Sequence, residues 1–562
     1  MSVFSRRLAA CNPDRTTWRA RTWLFVPYDQ LTDRLGPLAE LAPAAAGVVL
    51  VECEAKAARR PYHKQKLALL LANLRHFALE QAIRGVAVLY LHDRVGYANA
   101  LRTAIAEVGP LTMMEAAERE LRHELVPVVA AGGLRVVAHA GWLTTQAEFQ
   151  AFCGDAPPWR MDAFYRGARR ARGVLMKGDA PLGGKFSFDS ENRQPWRGEP
   201  PAPVPLTFAV DEVTEEVCAL VATHFASHPG QLNPAAIPAT AEDAEAAWRW
   251  AVHHALPSFG PYEDAMSTRS PTLFHTLISP LLNLHRLTPA RVIADAERAR
   301  IELQSKEGFI RQVLGWREFV HHVHVATDGF RTLAPAATSG DDAAGDAGHA
   351  RYRGARSAPP MSPELRGAAP ARLGSGKALP AAFWGTPSGL RCLDHVVADV
   401  WRTGHSHHIT RLMVLGNIAS LLDVSPRQLT DWFWIAYIDA YDWVVEPNVL
   451  GMATFAIGDV MTTKPYIAGS GYIDRMSDFC KGCQFKPKTT CPLPTLYWAH
   501  LDRNSAALAG NHRMAVPLAA VRKRTSDQRA AAAATFSAVT ATLQRGEALA
   551  APAAPARKQR AR

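Results

Sequence analysis

Residues 480–498 read CKGCQFKPKTTCPLPTLYW and place three cysteines around a basic, aromatic loop near the end of a helical region. Cys480 and Cys483 form a C-x2-C pair, the spacing that lets two thiolates from one tight turn bind a single metal centre. Cys491 is followed by proline, as in the closing C-P of many iron–sulfur runs. Cys392 is the other cysteine in this half of the chain, so the C-terminal half holds enough thiols for one four-thiolate site.

The spacing of these cysteines leaves three interpretations open. A C-x2-C pair is commonest in structural zinc sites, and neighbouring cysteines also occur as plain buried thiols. A single fourth ligand far away in the sequence favours an iron–sulfur cluster, because zinc ribbons usually take their ligands as two C-x2-C knuckles.

The composition is that of a globular protein. With 562 residues, 48% of them hydrophobic and 20% charged, the chain is long enough for about two to four domains. Its apolar runs are shorter than the about 18 residues that span a bilayer, and the N-terminus lacks the apolar core of a signal peptide. We therefore expect a cytoplasmic protein with no membrane partner, in which eight cysteines mean metal ligands or free thiols and not disulfides.

The positive charge is concentrated at the C-terminus. Nine Lys and Arg residues lie between Arg522 and Arg562 against Asp527 and Glu547, which accounts for +7 of the formal charge of +11. The rest of the chain is nearly neutral, so net charge alone is weak evidence for a DNA-binding groove. The Ala-rich, basic composition of residues 521–562 predicts a disordered tail.

Residues 20–150 alternate short β-branched runs with amphipathic helical stretches, which predicts an α/β domain with a doubly wound parallel sheet. The predicted strands are TWLFV (22–26), GVVLVE (47–52), VAVLYLHD (86–93) and LRVVAHA (134–140). Asp29 and Gln30 follow the first strand, at the carboxyl edge where such sheets bind ligands. Because no G-x-G-x-x-G motif accompanies them, the sequence gives little support for nucleotide binding there.

Beyond this domain the pattern becomes helical. Residues 151–240 are rich in Pro, Gly and charge and predict an interdomain linker on the surface. Residues 241–520 have helical periodicity and predict a large all-helical C-terminal domain. Within it, residues 334–380 are dense in Ala, Gly, Asp and Pro and predict a flexible insertion.

Five segments of the helical half resemble the photolyase–cryptochrome family, in particular its bacterial branch with an iron–sulfur cluster. Together with the α/β domain, the resemblance covers roughly residues 20–520. The segments are YEDAMSTRSPTLFHTLISPLLNLHRLTP (262–289), IRQVLGWREFVHHVH (310–324), GHSHHITRLMVLGNIASLL (404–422), WIAYIDAYDWVVEPNVLGM (434–452) and TTKPYIAGSGYIDRMSDFCKGC (462–483).

The resemblance implies two cofactors. One is a 4Fe-4S cluster bound by Cys392, Cys480, Cys483 and Cys491, although the loop from Cys483 to Cys491 is shorter than is usual in this branch. The other is FAD, which makes the helical half an FAD-binding domain. The implied FAD contacts are Tyr262, His275, Thr276, Ser279, Asn283, Arg411, Asp439 and Asp442.

The function that the resemblance implies is light-dependent repair of pyrimidine–pyrimidone (6-4) photoproducts in single- or double-stranded UV-damaged DNA, by a monomer. A cryptochrome-type blue-light sensor and a photolyase for cyclobutane dimers are the alternatives. Repair of a (6-4) lesion requires a proton transfer, for which histidine is suited near neutral pH. The resemblance makes His408 the proton donor and His407 its neighbour in the site, and lines the lesion site with Tyr466, Tyr472, Trp316 and Met452.

Electron transfer and light collection complete these expectations. Trp384 and Trp432 match the aromatic chain that carries electrons to the flavin, but Phe433 stands where a tyrosine is expected, so Trp434 or Tyr437 is the substitute. The branch usually holds a 6,7-dimethyl-8-ribityllumazine antenna in its α/β domain. Asp29 fits that site, whereas Lys56 and Arg59 stand where an acidic and an aromatic contact are expected and count against the antenna.

Overall fold

The computed structural model describes residues 1–333 and 367–551. An N-terminal domain with a parallel sheet is followed by a large helical region. Most of the predicted insertion, residues 334–366, and the last part of the predicted tail, residues 552–562, lie outside the described residues.

The central sheet has five parallel strands in the order β3-β2-β1-β4-β5, which is the order of a doubly wound α/β fold and confirms that prediction. The strands are β1 (Thr22–Phe25), β2 (Ala46–Cys53), β3 (Ala87–Asp93), β4 (Leu111–Met114) and β5 (Leu134–Val137). Every residue of β2 is buried, because helices cover both faces of the sheet. The sequence analysis missed β4, whose short LTMM run has no β-branched series.

Helices flank this sheet. They are α1 (Val3–Cys11), α2 (Pro37–Glu40), α3 (Glu54–Ala58), α4 (Lys64–Ile83), α5 (Tyr97–Val108) and α6 (Arg119–Ala130). Helix α4 is buried on nearly all sides, since its first half packs against the helical region and its second half against the sheet. It therefore joins the two parts of the molecule.

The prediction of a surface linker over residues 151–240 is wrong where that range folds into helices. The elements from this part of the chain are α7 (Gln146–Cys153), α8 (Met161–Arg172), the short strands β6 (Met176–Lys177) and β7 (Ala180–Pro181), and α9 (Glu212–His224). Helix α8 buries Phe164 and Ala168, and α9 buries Val217 and Val221, and the four-residue spacing of each pair puts it on one helical face. The Pro-rich residues 199–210 between them form no helix or strand.

The remaining described part of the chain is mainly helical, as predicted. The helices are α10 (Ala241–Trp250), α11 (Leu256–Tyr262), α12 (Ser279–Asn283), α13 (Pro289–Arg298), α14 (Leu303–Ile310), α15 (Glu318–Ala326), α16 (Arg391–Thr403), α17 (His408–Thr410), α18 (Asn417–Leu421), α19 (Pro426–Ala436), α20 (Asp442–Glu446), α21 (Ser470–Met476), α22 (Leu493–Arg503), α23 (Ala515–Arg522) and α24 (Ser526–Gln544). All residues of α19 are buried, so it forms the axis of the domain. Within the described part of the chain, no helix is long and apolar enough to cross a membrane.

Four stretches have the wider turns of a π-helix: Ala251–Ala255, Arg311–Arg317, Arg411–Gly416 and Pro447–Ala453. Such turns are rare and are frequently found at functional sites. The last three lie within segments that carry the family resemblance. The backbone is therefore irregular where the sequence predicts a cofactor.

The prediction of a disordered tail from residue 521 is wrong for residues 526–544, which form α24. Thr525 caps this helix in a capping box with Gln528, and alanine, its commonest residue, is the best helix former. Phe536 and Leu543 are buried in the contact with the domain, and the Arg503 guanidinium lies 3.6 Å from the centroid of the Phe536 ring. The composition suggested disorder because few residues of this segment are large and apolar. Those few lie on one face of the helix and are buried together.

Candidate active site and metal centre

Four cysteines meet at the end of the helical domain. Cys392 lies in the first turn of α16, and Cys480, Cys483 and Cys491 lie in the loop before α22. All four line one small cavity with apolar neighbours such as Leu390. None of them forms a disulfide, and burial together with the other thiols raises the pKa of Cys392. The structure thus brings together the four thiols that the sequence predicts as metal ligands.

The spacing of these sulfurs bears on the kind of metal. Among the described residues, His275, His407 and His408 form a group whose possible metal-ligand atoms all lie within 4.8 Å of one another. No three of the cysteines form such a group, so no three of their sulfurs lie that close together. A single zinc ion binds thiolates at about 2.3 Å, which brings tetrahedral sulfurs within about 4 Å of one another. The cysteine sulfurs are therefore spread more widely than a single zinc ion requires.

A buried ion pair lies at the centre of the predicted flavin site. Both terminal nitrogens of Arg411 donate to the Asp439 carboxylate, at 3.1 and 3.0 Å. Ser279 donates to the same carboxylate at 2.7 Å, and Asn283 donates to the Asp439 carbonyl at 2.9 Å. Burial alone would raise the pKa of Asp439, but the charge and hydrogen bonds of Arg411 lower it, so this carboxylate stays ionised.

The predicted catalytic histidines lie beside this pair. The rings of His275 and His407 stack with centroids 4.5 Å apart, and the His408 ring lies 5.4 Å from that of His275. Burial lowers the pKa values of His275 and His407 well below the ordinary range, and neighbouring positive charge lowers them further. His408 differs from both, because 41% of its side chain is exposed.

Asp264 is a member of this site that the sequence analysis missed. Its carboxylate lies 3.6 Å from His408 Nε2 and accepts a hydrogen bond of 2.9 Å from the Tyr472 hydroxyl. Burial alone would raise the pKa of Asp264, but His408, and then Tyr472 and Arg193, outweigh it and lower the pKa. Asp264 lies in the first quoted segment, but a lone carboxylate in a loop gives no signal of its role before folding.

Tyr472 and Arg193 border the same carboxylate, and Tyr466 lies near Arg193. Arg193 Nε lies 3.7 Å from Asp264, and 51% of the Arg193 side chain is exposed. Tyr466 is half-buried within the electrostatic influence of Arg193 and Asp189. His407 and His408 thus lie beside His275, Tyr472 is bonded to Asp264 next to His408, and Tyr466 lies near Arg193.

Other predicted contacts lie apart from the ion pair. The Tyr262 hydroxyl donates to the Glu199 carbonyl at 3.1 Å, and its ring packs on Phe274. Asp442 accepts from the backbone of Glu120 in the α/β domain, so it lies at the contact between the two domains and not beside Asp439. For these two residues the structure gives no support to the predicted role.

For three of the remaining predicted residues, the structure shows the surroundings but no contact that assigns a role. Trp316 packs edge-on against Phe319, whereas Met452 and Thr276 are half-buried. Their parts in a lesion pocket or flavin site stay predictions.

A column of aromatic rings runs toward the ion pair. Trp384 stacks on Trp401 with centroids 5.4 Å apart, Trp401 lies 5.8 Å from Trp432, and Trp432 lies 6.0 Å from Tyr437. The Arg411 guanidinium lies 4.0 Å from the centroid of the Tyr437 ring. The rings thus form a continuous series from half-buried Trp384 to the ion pair.

Trp401 is the ring that the sequence analysis missed. Its indole N–H and that of Trp432 both donate to the carbonyl of Phe383, each at 2.9 Å, which fixes the two rings relative to each other. Of the two predicted substitutes for a tyrosine at position 433, Tyr437 lies in the column. Trp434 instead faces Arg60 and lines a different cavity.

That cavity lies at the carboxyl end of the sheet. Its walls include four tyrosines, two lysines and two carboxylates: Tyr28, Tyr62, Tyr97, Tyr441, Lys56, Lys66, Glu52 and Glu118. The Lys56 ammonium group pairs with the Glu118 carboxylate at 2.8 Å. Glu118, the residue just before α6, thus supplies an acidic group that position 56 lacks. Arg59 pairs with Glu120 instead of facing the cavity. The cavity has the place and the aromatic lining for an antenna, which stays a prediction.

Comparisons with known proteins agree with this architecture. The family model for deoxyribodipyrimidine photo-lyase-related protein matches residues 24–236. The chain is 32% identical to the (6-4) photolyase of Agrobacterium fabrum over 519 residues, which is 89% of this chain and 95% of that protein. The fold is similar to the crystal structure of a bacterial class III photolyase from Agrobacterium tumefaciens, with a TM-score of 0.51 and 15% identity over 93% of this chain and 98% of that one.

Asp29, near this cavity, gives a test of its electrostatics. Burial raises the pKa of Asp29 to about 7, and the charge of Glu118 adds to the effect. The folded protein therefore retains a proton that the unfolded chain loses above about pH 4, so Asp29 makes the protein less stable as the pH rises toward 7. Asp29→Asn should remove this pH dependence. The change in the free energy of unfolding caused by the substitution should therefore be more stabilising at pH 7.5 than at pH 4.5, by on the order of 2 kcal/mol.

Denaturant unfolding at a series of pH values measures this effect. Asp33→Asn is the control, since it removes a carboxylate that is paired with Arg84 near the surface. Identical pH dependence in the wild type and Asp29→Asn would contradict the assignment.

Proposed function

Because the chain belongs to the photolyase–cryptochrome family, we propose that it repairs (6-4) photoproducts in UV-damaged DNA by a light-dependent reaction that requires FAD. The observation that carries this proposal is the position of His408. Its half-exposed ring lies between Asp264, at 3.6 Å, and the stacked pair of His275 and His407. A proton donor is thereby held at the mouth of the site that would bind the flavin.

The residues around Arg411 and Asp439 fit FAD. Within the described part of the chain, buried ring nitrogens of His275, His405 and His407 have no hydrogen-bond partner in the protein, so a polar ring system could satisfy them. Ser279 and Asn283 add a hydroxyl and an amide on the other side of the ion pair. When bound, FAD supplies the light-driven electron that opens the lesion.

His408 is the histidine in this group that can act as an acid. His275 and His407 stay neutral near pH 7, because burial and neighbouring charge lower their pKa values well below the ordinary range. The ionised Asp264 carboxylate lies 3.6 Å from His408 Nε2, next to the ring that would donate the proton. Tyr472 in turn orients Asp264 through its hydroxyl.

The opening of this site offers groups for damaged DNA. Arg193 is half-exposed beside Asp264 and can contact phosphate, and Lys464 is exposed on the segment that carries Tyr466. A damaged base pair stacks weakly, so taking the lesion out of the helix toward His408 costs less than flipping intact bases.

The aromatic column would deliver electrons to the flavin site. An indole is oxidised far more easily than a phenyl ring, so Trp384, Trp401 and Trp432 can pass an electron inward, with Tyr437 next to the ion pair. A small thiol in solution would restore the electron that Trp384 loses. Trp401 thus links Trp384 to Trp432, and Tyr437 stands in for the tyrosine that Phe433 replaces.

The cysteines support a 4Fe-4S cluster. Four thiols line one apolar cavity, and their sulfurs are more widely spaced than a single zinc ion requires. A cluster bound there would join α16 to the loop before α22, so its first effect is on folding.

Repair of defined oligonucleotides tests the proposed function directly. One oligonucleotide carries a (6-4) photoproduct and another a cyclobutane dimer, and each is illuminated with blue light or kept dark. We expect light-dependent restoration of the (6-4) lesion alone. Repair of the dimer alone would assign the other photolyase activity, and no repair of either lesion would favour the light-sensor function.

The His408→Ala variant should bind FAD normally, because Arg411 and Asp439 are intact. Repair of the (6-4) lesion should fall about 10²-fold or more, the usual effect of losing a general acid. Binding of damaged DNA should weaken far less than turnover. His512→Ala, at an exposed position, is the matched control. Repair at the wild-type rate by His408→Ala would contradict the assigned role.

The Trp401→Phe variant should lose efficient photoreduction. It keeps an aromatic ring of similar shape but removes the oxidisable indole between Trp384 and Trp432, so reduction of bound flavin under blue light with excess thiol should slow several-fold. Trp434→Phe, which changes a buried indole outside the column, should reduce at the wild-type rate.

A second readout of the column needs no flavin. The stacked pair of Trp384 and Trp401 should give a coupled circular dichroism signal in the indole region, which Trp401→Phe removes and Trp434→Phe leaves. Equal photoreduction rates in the two variants would exclude Trp401 from the route.

A further inference from the structure

The chain does not end at α24. Residues 545–551, here called the C-terminal strap, continue from this helix without forming a helix or strand of their own beyond its closing turn. The helix is anchored by buried Phe536 and Leu543, and the Gln544 side chain donates to the carbonyl of Ala378. The strap therefore starts from a fixed point on the domain surface.

Hydrogen bonds connect the strap to two separate turns. The Leu549 N–H donates to the Ser388 carbonyl at 2.8 Å. The side-chain amide of Gln484 donates to the carbonyls of both Gly389 and Leu549, each at 2.9 Å, and the Ala551 N–H donates to the Gln484 side-chain oxygen at 3.4 Å. Gln484 is thus the group that joins both turns and the strap.

These two turns are opposite walls of the cysteine cavity. Gly389 directly precedes Leu390, which lines the cavity shortly before Cys392, and Gln484 directly follows Cys483. A side chain at Gly389 would have its Cβ only 2.3 Å from the Leu549 carbonyl oxygen, so the strap packs closely against this wall. Leu549 and Ala551 also pack against the apolar core that borders all four cysteines.

The contacts that close the strap are weak compared with those that anchor α24. Its bonds are few, and Gln484 is exposed, so water can replace each partner at little net cost. Leu549 is only half-buried, and Glu547, Ala548 and Ala550 are exposed. Ordering these residues costs backbone entropy that so few contacts barely offset, so local opening is easy while α24 stays in place.

We propose that the C-terminal strap is a latch on the four-cysteine cavity, and that its opening sets the rate at which chelators and oxidants reach the bound metal. When the strap is closed, Leu549 and Gln484 together hold the Cys392 wall to the Cys483 wall. When it is open, the bonds through Leu549 are lost and the two walls are held together less firmly. The proposal rests on the cysteines binding a metal, as proposed above, but not on which metal they bind.

Metal release from the purified full-length protein tests this inference. A chromophoric chelator for iron or zinc is added in excess, and the rate of metal loss is compared between two truncations. Truncation after Gln544 removes the strap, whereas truncation after Ala551 keeps it and removes only the remaining residues. If the strap is open about a tenth of the time, the first truncation should release metal about tenfold faster than the second.

A point variant covers the case in which the shorter truncation fails to fold. Gln484→Ala removes the side chain that bridges both turns and should accelerate release several-fold, whereas Lys488→Ala, at an exposed position of the same loop, should not. Thermal unfolding of each variant separates faster release from general destabilisation.

The possible outcomes test the role of the strap and the identity of the metal centre separately. Release of zinc with the predicted order of rates would refute the iron–sulfur cluster and support the strap. In protein purified without metal, the rate at which iodoacetamide alkylates the four thiols should follow the same order among the variants. Equal rates in both truncations, or in Gln484→Ala and Lys488→Ala where the truncation does not fold, would overturn the proposal.

Discussion

The buried pair of Arg411 and Asp439 is the interaction on which the rest of the site depends. Two ions out of water are costly unless they are paired and hydrogen-bonded, and removing one partner of such a pair typically costs about 3–5 kcal/mol. The pair is bidentate, and Ser279 completes the hydrogen bonds of the carboxylate. Arg411 also donates to the Ser406 carbonyl at 2.8 Å, which fixes the chain just before His407 and the proposed proton donor His408.

Helix α16 connects the three proposed functions of the helical domain. Cys392 lies at its beginning, Trp401 lies near its end, and the turn that follows leads to His407 and His408. A metal centre at Cys392 would therefore hold the same element that carries Trp401 of the proposed electron route and leads, through the next turn, to the proposed proton donor. In that arrangement a structural cluster would matter for the chemistry without taking part in it.

The sequence predicted those features that depend on local residue spacing or lie in segments that resemble the family. The C-x2-C pair led to all four cysteines, and the quoted segments led to Arg411, Asp439 and His408. Asp264 and Trp401 were missed because their roles arise from contacts made only after folding: a lone loop carboxylate beside His408, and one tryptophan among fourteen that stacks on Trp384. Composition misjudged α24 for a related reason, since its few buried side chains matter through their common face.

Cofactor analysis of the purified protein tests the account most directly. The protein is prepared without oxygen and assayed for bound flavin, iron, zinc and acid-labile sulfide, before and after Asp439→Asn and Cys392→Ser are introduced separately. The account predicts FAD with equal amounts of iron and sulfide in the wild type, loss of flavin from the first variant and loss of iron from the second. A wild type that holds zinc without sulfide, or no flavin at all, would contradict it.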